Sequence, residues 1–228
     1  MPSFIASAVL ALAALPAVLG VPLGRIQPPS LSPLKFTGCT VTAKPSLPAN
    51  QTLVVLDSTL KTHFVGLGVG VQNYTCTDGK YVSAGAVATL YDVSCVYGTP
   101  LFSQLPDIAL KFNFQRSSIS TEIGRTLGKS PLALGDHYFV TNSAGGISPK
   151  FDFTKSQSVS TFVVAAKKGN VASPAGSANV DWLQLNKVEG TMGTQVFRID
   201  TRKGQPPASC TSGTLSVPYS AMYWVMDA

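Results

Sequence analysis

The stretch HFVGLGVGVQNYTC, residues 63–76, alternates apolar side chains with glycine. Val65, Leu67, Val69 and Val71 hold the odd positions; Gly66, Gly68, Gly70 and Gln72 hold the even ones. A period of two belongs to a strand, because successive side chains leave opposite faces of the backbone. The pattern predicts a strand whose valine–leucine face points into the core. Its glycine face is flat, and lets another backbone or an aromatic ring come close. Asn73 falls on the apolar parity, so the core face is expected to end near Val71 or the strand to twist there. The same glycines invite comparison with a dinucleotide-binding loop, which needs G-x-G-x-x-G and a helix starting at the last glycine. Position 71 is Val71 instead, and the chain runs on through Gln-Asn-Tyr-Thr-Cys to a turn at Asp78-Gly79. A nucleotide cofactor is not expected, and no other cofactor is indicated.

Strand-like segments recur along the rest of the chain: QTLVVL (51–56), HYFVT (137–141), KFDF (150–153), STFVVAAK (160–167), DWLQLNKV (181–188), QVFRIDT (195–201) and AMYWVM (221–226). Residues 84–93 read as strand or helix, 100–110 hold a helical turn, and 115–136 form a long loop with a short helix. Turn residues separate the strands at Ala144-Gly145-Gly146, Lys168-Gly169-Asn170, Glu189-Gly190 and Gln205-Pro206-Pro207. Many short strands at near-regular spacing predict an all-β, mainly antiparallel domain, a sandwich or barrel with a few short helices.

The chain begins MPSFIASAVLALAALPAVLG, with an apolar run too short to span a bilayer and no charged side chain before Arg25. This fits a secretory signal peptide over 1–20. A proline-rich extended leader, 21–50, and one β-rich domain, 51–228, follow. No later run is apolar enough for a membrane span. Charged residues make up 12% and the net charge is +6, but lysines and arginines are scattered. Nucleic-acid binding, which concentrates such charge in one stripe, is not expected; a solvated basic surface suited to acidic wall polymers or anionic membranes is. Four cysteines, Cys39, Cys76, Cys95 and Cys210, are an even number in an exported chain and predict two disulfides, with three connectivities open. Asn50 and Asn73 each start an N-x-[ST] triplet, the acceptor for glycosylation in a secreted chain.

GVGVQNYTC (68–76), AGAVATLYDVSC (84–95), GDHYFV (135–140), FDF (151–153), DWLQL (181–185), RIDTRKGQPPASC (198–210) and VPYSAMYWV (217–225) follow one another in this order. Together they resemble the secreted family called domain of unknown function 3455, found in fungi and, in shorter form, in bacteria. The resemblance covers roughly 50–226 and carries no established activity. Many fungal members bear the label malate dehydrogenase, against which the missing cofactor loop, the missing parallel βαβ pattern and the paired cysteines argue. Bacterial-type members keep one cysteine at the end of a Y-x-C strand and one after the proline pair, matching Cys76 and Cys210. The resemblance therefore implies Cys76–Cys210, and with it Cys39–Cys95.

Candidate site residues are few. Asp136 and His137 open one predicted strand and Asp152 lies in the next. If the two strands pair, His137 and Asp152 could meet as a His–carboxylate base. Two histidines and oxidised cysteines are too few for a zinc or copper site, and no metal is expected. No G-x-S-x-G elbow occurs, and nothing in the acid spacing singles out a glycosidase pair. Trp182, Tyr219, Tyr223 and Trp224 could stack on sugar rings if exposed, or lie in the core. Arg198 and Asp200 share a strand parity and read as a structural ion pair. The sequence thus points to a secreted protein of the cell surface, cell wall or host interface that binds a polysaccharide or another protein. The alternative is an extracellular enzyme with its site around His137 and Asp152. The oligomeric state is not legible.

Overall fold

The computed structural model describes residues 38–117, 133–157 and 159–228, with backbone alone for 112–117. The predicted signal peptide, the first part of the leader, and most of the loop expected over 115–136 lie outside the described residues.

The alternating stretch forms the middle of β1 (Lys61–Thr77). It turns at Asp78-Gly79 into β2 (Lys80–Asp92), with Thr77 opposite Lys80. Both turn residues have positive φ, 51° and 78°, as a two-residue hairpin turn compatible with strand twist requires. β3 (Gly135–Thr141), β4 (Ile147–Asp152), β5 (Phe162–Val171), β6 (Trp182–Gly190), β7 (Gln195–Lys203) and β8 (Thr214–Asp227) follow. Each strand pairs antiparallel with the next, and β8 returns to pair with β1 from Lys61↔Asp227 to Thr75↔Thr214. The result is a closed eight-stranded barrel, which leaves no sheet edge exposed. The ambiguous segment 84–93 is strand β2. The helical turn at 100–110 becomes a short 3₁₀ turn at Phe102–Gln104 running into helix α1 (Leu105–Ser117).

The two faces of β1 are both buried: the valine–leucine face enters a core cluster and the glycine face is closely approached by a ring and a backbone, as expected, but the core on the valine side lies outside the barrel. Phe64 and the glycine side face the lumen. There Phe64, Leu90, Phe151, Phe153, Val163, Val196, Tyr223 and Val225 form one apolar cluster. Gly68 lies so close to Tyr223 that a Cβ would overlap its ring, and Gly70 leaves no room against the Val87 carbonyl. Val65 and Leu67 face outward into a second cluster with Phe197, Ile199, Met222, Trp224 and Met226. That outer face is covered by the segment 38–60, through Val41, Val54 and Leu60, and by Leu105 and Ala109 of α1. β8 is therefore buried without a break from Tyr219 to Met226. Inward Ala221, Tyr223 and Val225 alternate with outward Met222, Trp224 and Met226.

QTLVVL is not a strand. The Gln51 side-chain carbonyl accepts the N–H groups of Leu53 and Val54, curling the backbone into a turn. Val55 N–H donates to the Gln184 side chain of β6. The segment is a strap held through side chains and not through a ladder. Cys39–Cys95 fastens its start, and Cys76–Cys210 ties the β1–β2 hairpin to the β7–β8 connection. Both bridges are those implied by the family resemblance. Among the described residues no helix is long and apolar enough to cross a membrane.

Candidate ligand cavity in the barrel lumen

The residues expected to form a catalytic pair are separated by strand register. β3 pairs with β4, as supposed, but Asp152 stands opposite Asp136 and His137 stands opposite Phe151. Neighbouring positions face opposite sides, so His137 points into the lumen while the two aspartates point out. Outside, Asp152 accepts from the Tyr138 hydroxyl at 2.9 Å and pairs with Lys150 at 3.1 Å; Asp136 pairs with Lys155. Burial works to raise the Asp152 pKa, but hydrogen bonds from Thr154, Tyr138 and Lys150 prevail and hold it well below the usual carboxylate range. Inside, His137 stacks on Phe151 at 4.3 Å and its Nδ1 lies 3.0 Å from the Lys150 carbonyl. Burial lowers its pKa to about 4, against the bond to Lys150 and helped by the field of Arg198. It is a neutral core histidine at neutral pH.

The aromatic candidates are buried as well. Trp182 and Trp224 belong to the outer cluster beneath the strap, and Trp224 meets Tyr97 and Phe102 edge-on. Tyr223 lies in the lumen, its hydroxyl 2.9 Å from that of Tyr219. None offers an exposed platform for a sugar ring. Asn50 is exposed at a turn with φ 58°. Asn73 is half-buried and its amide oxygen accepts from Ser216. Among the described residues no three His, Cys, Asp or Glu side chains are grouped to hold a metal ion.

The lumen changes character along its axis. One end is plugged by Phe64, Leu90, Phe153, Val163 and Val225, and His137, Phe151 and Tyr223 fill the middle. Towards the other end the inward positions turn polar, Gln72 and Tyr74 on β1 and Arg198 on β7, beside the small Ala165 on β5. An eight-stranded barrel is just wide enough to be filled by side chains or to hold one small molecule. Here the packing stops short of the mouth and leaves a cavity of about 480 Å³. Phe139, Leu183 and Leu185 give it apolar wall; Gln72, Tyr74, Asn170, Asp181 and Arg198 give it polar wall.

Arg198 is the central charge of this end. It is 9% exposed, and its Nε and Nη2 both donate to the Asp181 main-chain carbonyl, at 3.2 and 2.9 Å. It does not pair with Asp200. A bulge between Ile199 and Arg202 breaks the strand parity, and Asp200 sits at φ 48° with Arg202 as the charge that acts on it. No carboxylate among the described residues forms an ion pair with Arg198. Burial raises the pKa of Tyr74, of Tyr223 and, most strongly, of Tyr219, and in all three the Arg198 field works the other way. Gln72 is 6% exposed and lines the same cavity; among the described residues its Nε2 has no acceptor at hydrogen-bond distance, and the polar group it acts on is the Tyr219 hydroxyl, whose pKa it lowers. Neither residue stands out in the sequence as a site. The available signal was an arginine at an inward parity of an otherwise apolar strand, QVFRI.

A family model described as protein of unknown function, DUF3455, matches residues 57–227. The chain belongs to this family. The DUF3455 match spans β1 through β8, and with them every cavity residue named above. It begins inside the strap, so Cys39 lies outside it while its partner Cys95 lies within. No curated protein and no solved structure matches the chain.

Proposed function

We propose that this is a secreted, disulfide-stapled barrel that acts outside the cell, at the wall, surface or host interface, by holding a small molecule in the polar end of its lumen. The observation that carries the reading is a cavity in the lumen faced by the buried Arg198 guanidinium and by the buried Gln72 amide, whose Nε2 has no acceptor at hydrogen-bond distance among the described residues and only the Tyr219 hydroxyl near enough to feel it. An unpaired buried donor costs on the order of 1–3 kcal/mol, and a ligand oxygen removes that cost. The export-like start of the chain, the two disulfides and the exposed Asn50 as a glycan acceptor support an extracellular setting. A polysaccharide partner would call for exposed aromatic rings, and Trp182 and Trp224 are covered; a small ligand needs none.

The reading is tested with the neutral fluorophore N-phenyl-1-naphthylamine on the mature chain. Saturable one-site binding, lost when Leu183→Trp fills the cavity without changing the thermal melt, is the expected result. Absence of saturable binding, or binding indifferent to the filled cavity, overturns the proposal.

A further inference from the structure

Among the described residues the cavity is lined by more positive than negative charge, and no carboxylate forms an ion pair with its most buried cation. Among the described residues Arg198 and Lys167 line it against one carboxylate, Asp181. The Asp181 carboxylate is engaged by Asn170, whose Nδ2 donates to Oδ2 at 2.6 Å, while the Asp181 main-chain carbonyl takes two N–H groups of Arg198. A carbonyl satisfies hydrogen bonds but does not neutralise a charge. A guanidinium has five N–H groups in a planar fork; two are directed at that carbonyl, and the group also acts on the Tyr223 hydroxyl, whose pKa it lowers, which leaves further N–H groups for a ligand. Burying a cation without an anion is expensive, and burial is normally accompanied by pairing.

The Gln72 amide is the second polar group of this kind. It comes from β1, nine-tenths buried, in the same cavity as the guanidinium; its Nε2 acts on the Tyr219 hydroxyl but has no acceptor at hydrogen-bond distance among the described residues. Both groups donate, so the chemistry that suits them is an acceptor with negative charge. The apolar wall is Phe139, Leu183 and Leu185, with Leu183 beside Arg198 across the β6–β7 ladder. A net surplus of one positive charge fits a monoanion better than a doubly charged phosphate, which would also face the Asp181 carboxylate.

We propose that the lumen selects a small monocarboxylic acid with an apolar body, its carboxylate on the Arg198 guanidinium and the Gln72 amide, its body against Phe139 and the leucines. This rests on the reading that the lumen holds a ligand and specifies the ligand's class. A carboxylate on guanidinium forms charge-assisted hydrogen bonds roughly twice as strong as neutral ones, so an acid and its uncharged amide are distinguished.

The test is isothermal titration calorimetry at neutral pH with three skeletons, 4-phenylbutyrate, octanoate and indole-3-acetate, each beside its primary amide and its matching amine. At least one acid is expected to bind tenfold or more tightly than its amide, and the amines are expected to bind most weakly. Arg198→Met should bring acid and amide within twofold of each other, and Gln72→Leu should weaken the acid several-fold. Equal binding of acid and amide, preference for the amine, or no heat with any acid overturns the proposal. If Arg198→Met fails to fold, the acid-to-amide ratio on the unaltered protein decides alone. Binding of N-phenyl-1-naphthylamine that survives such a result leaves the lumen reading standing and removes the carboxylate, so the two failures are distinguishable.

Discussion

Gly66 and Gly68 face the same lumen, yet they are under different constraints. A Cβ at Gly66 would meet nothing closer than the Phe64 ring at 3.6 Å, an ordinary contact, whereas at Gly68 it would overlap the Tyr223 ring. Tyr223 is fully packed and held by Tyr219, so it has little freedom to retreat. Overpacking of this kind costs about 1–3 kcal/mol. Urea denaturation should therefore show Gly68→Ala destabilised by about that amount and Gly66→Ala near neutral; equal effects would mean that the glycine face does not point at Tyr223. His137 gives a pH prediction at the same scale. Its pKa is lowered from the ordinary 6.5 to about 4 in the folded state, so the unfolded chain binds the proton first as pH falls. The stability it supports is complete above about pH 6.5 and is lost progressively towards pH 4, on the order of 3 kcal/mol in all. Asp200 is shifted the other way, raised by burial against the field of Arg202. The comparison that isolates the histidine is thus wild type against His137→Phe, which keeps the stack on Phe151. The wild-type melting temperature should fall across this window and the variant's should fall less; parallel curves would show that His137 is not held neutral.

At the scale of elements, the strap 38–60 and α1 explain why β1, β7 and β8 carry apolar residues on both parities. The strap has no ladder of its own. It is held by the Cys39–Cys95 bridge, by Gln184 and Gln195 accepting from Val55 and Asp57, and by insertion of Val41, Val54 and Leu60. Removing the bridge as Cys39→Ser with Cys95→Ser opens a span of 56 residues, and such a loss costs about 2–4 kcal/mol. Limited proteolysis should then cut first within 38–60 and leave the barrel intact; first cuts in the barrel strands would show that the strap does not depend on the bridge. Much of this organisation was legible. The alternation over 64–72 gave a strand, Asp78-Gly79 gave the hairpin, and the family resemblance gave both disulfides. The strap was not legible, because QTLVVL has the composition of a strand and what bends it is the Gln51 side chain bonding to main-chain N–H groups. The valine–leucine face of β1 does enter a core cluster, but which face is the lumen was not legible: in a barrel covered from outside both parities are buried, and hydropathy alone does not tell them apart. The cavity pair was hidden further still, since Gln72 and Arg198 lie on β1 and β7, which share no ladder and are separated by β8.

For the whole barrel, the ladders are unequal in a way that bears on how anything reaches the lumen. β1 is paired along nearly its full length on both sides, with β2 and with β8. β3 is joined to β2 by three residue pairs, Ala88↔His137 to Leu90↔Gly135, and β4 to β5 by three more, Lys150↔Val164 to Asp152↔Phe162. The β3–β4 hairpin is thus well paired internally but weakly fastened to its neighbours, and its tip supplies Phe139, Asn142, Ile147 and Ser148 to the cavity wall. Regions with few cross-strand bonds open at lower free energy than the global unfolding that releases the best-paired strands. Native-state hydrogen exchange should therefore find amides of β3 and β4 at the β2 and β5 boundaries exchanging well before those in the centre of β1 and β8. A molecule seated in the lumen touches this hairpin and the β6 and β7 walls at once, so saturation with N-phenyl-1-naphthylamine should slow the β3–β4 amides more than the already protected seam. If instead β3 and β4 exchange as slowly as β1 and β8, the barrel opens only as a unit. Passage to the cavity must then go through the mouth itself, past Lys167 and Ser83, with the hairpin standing still.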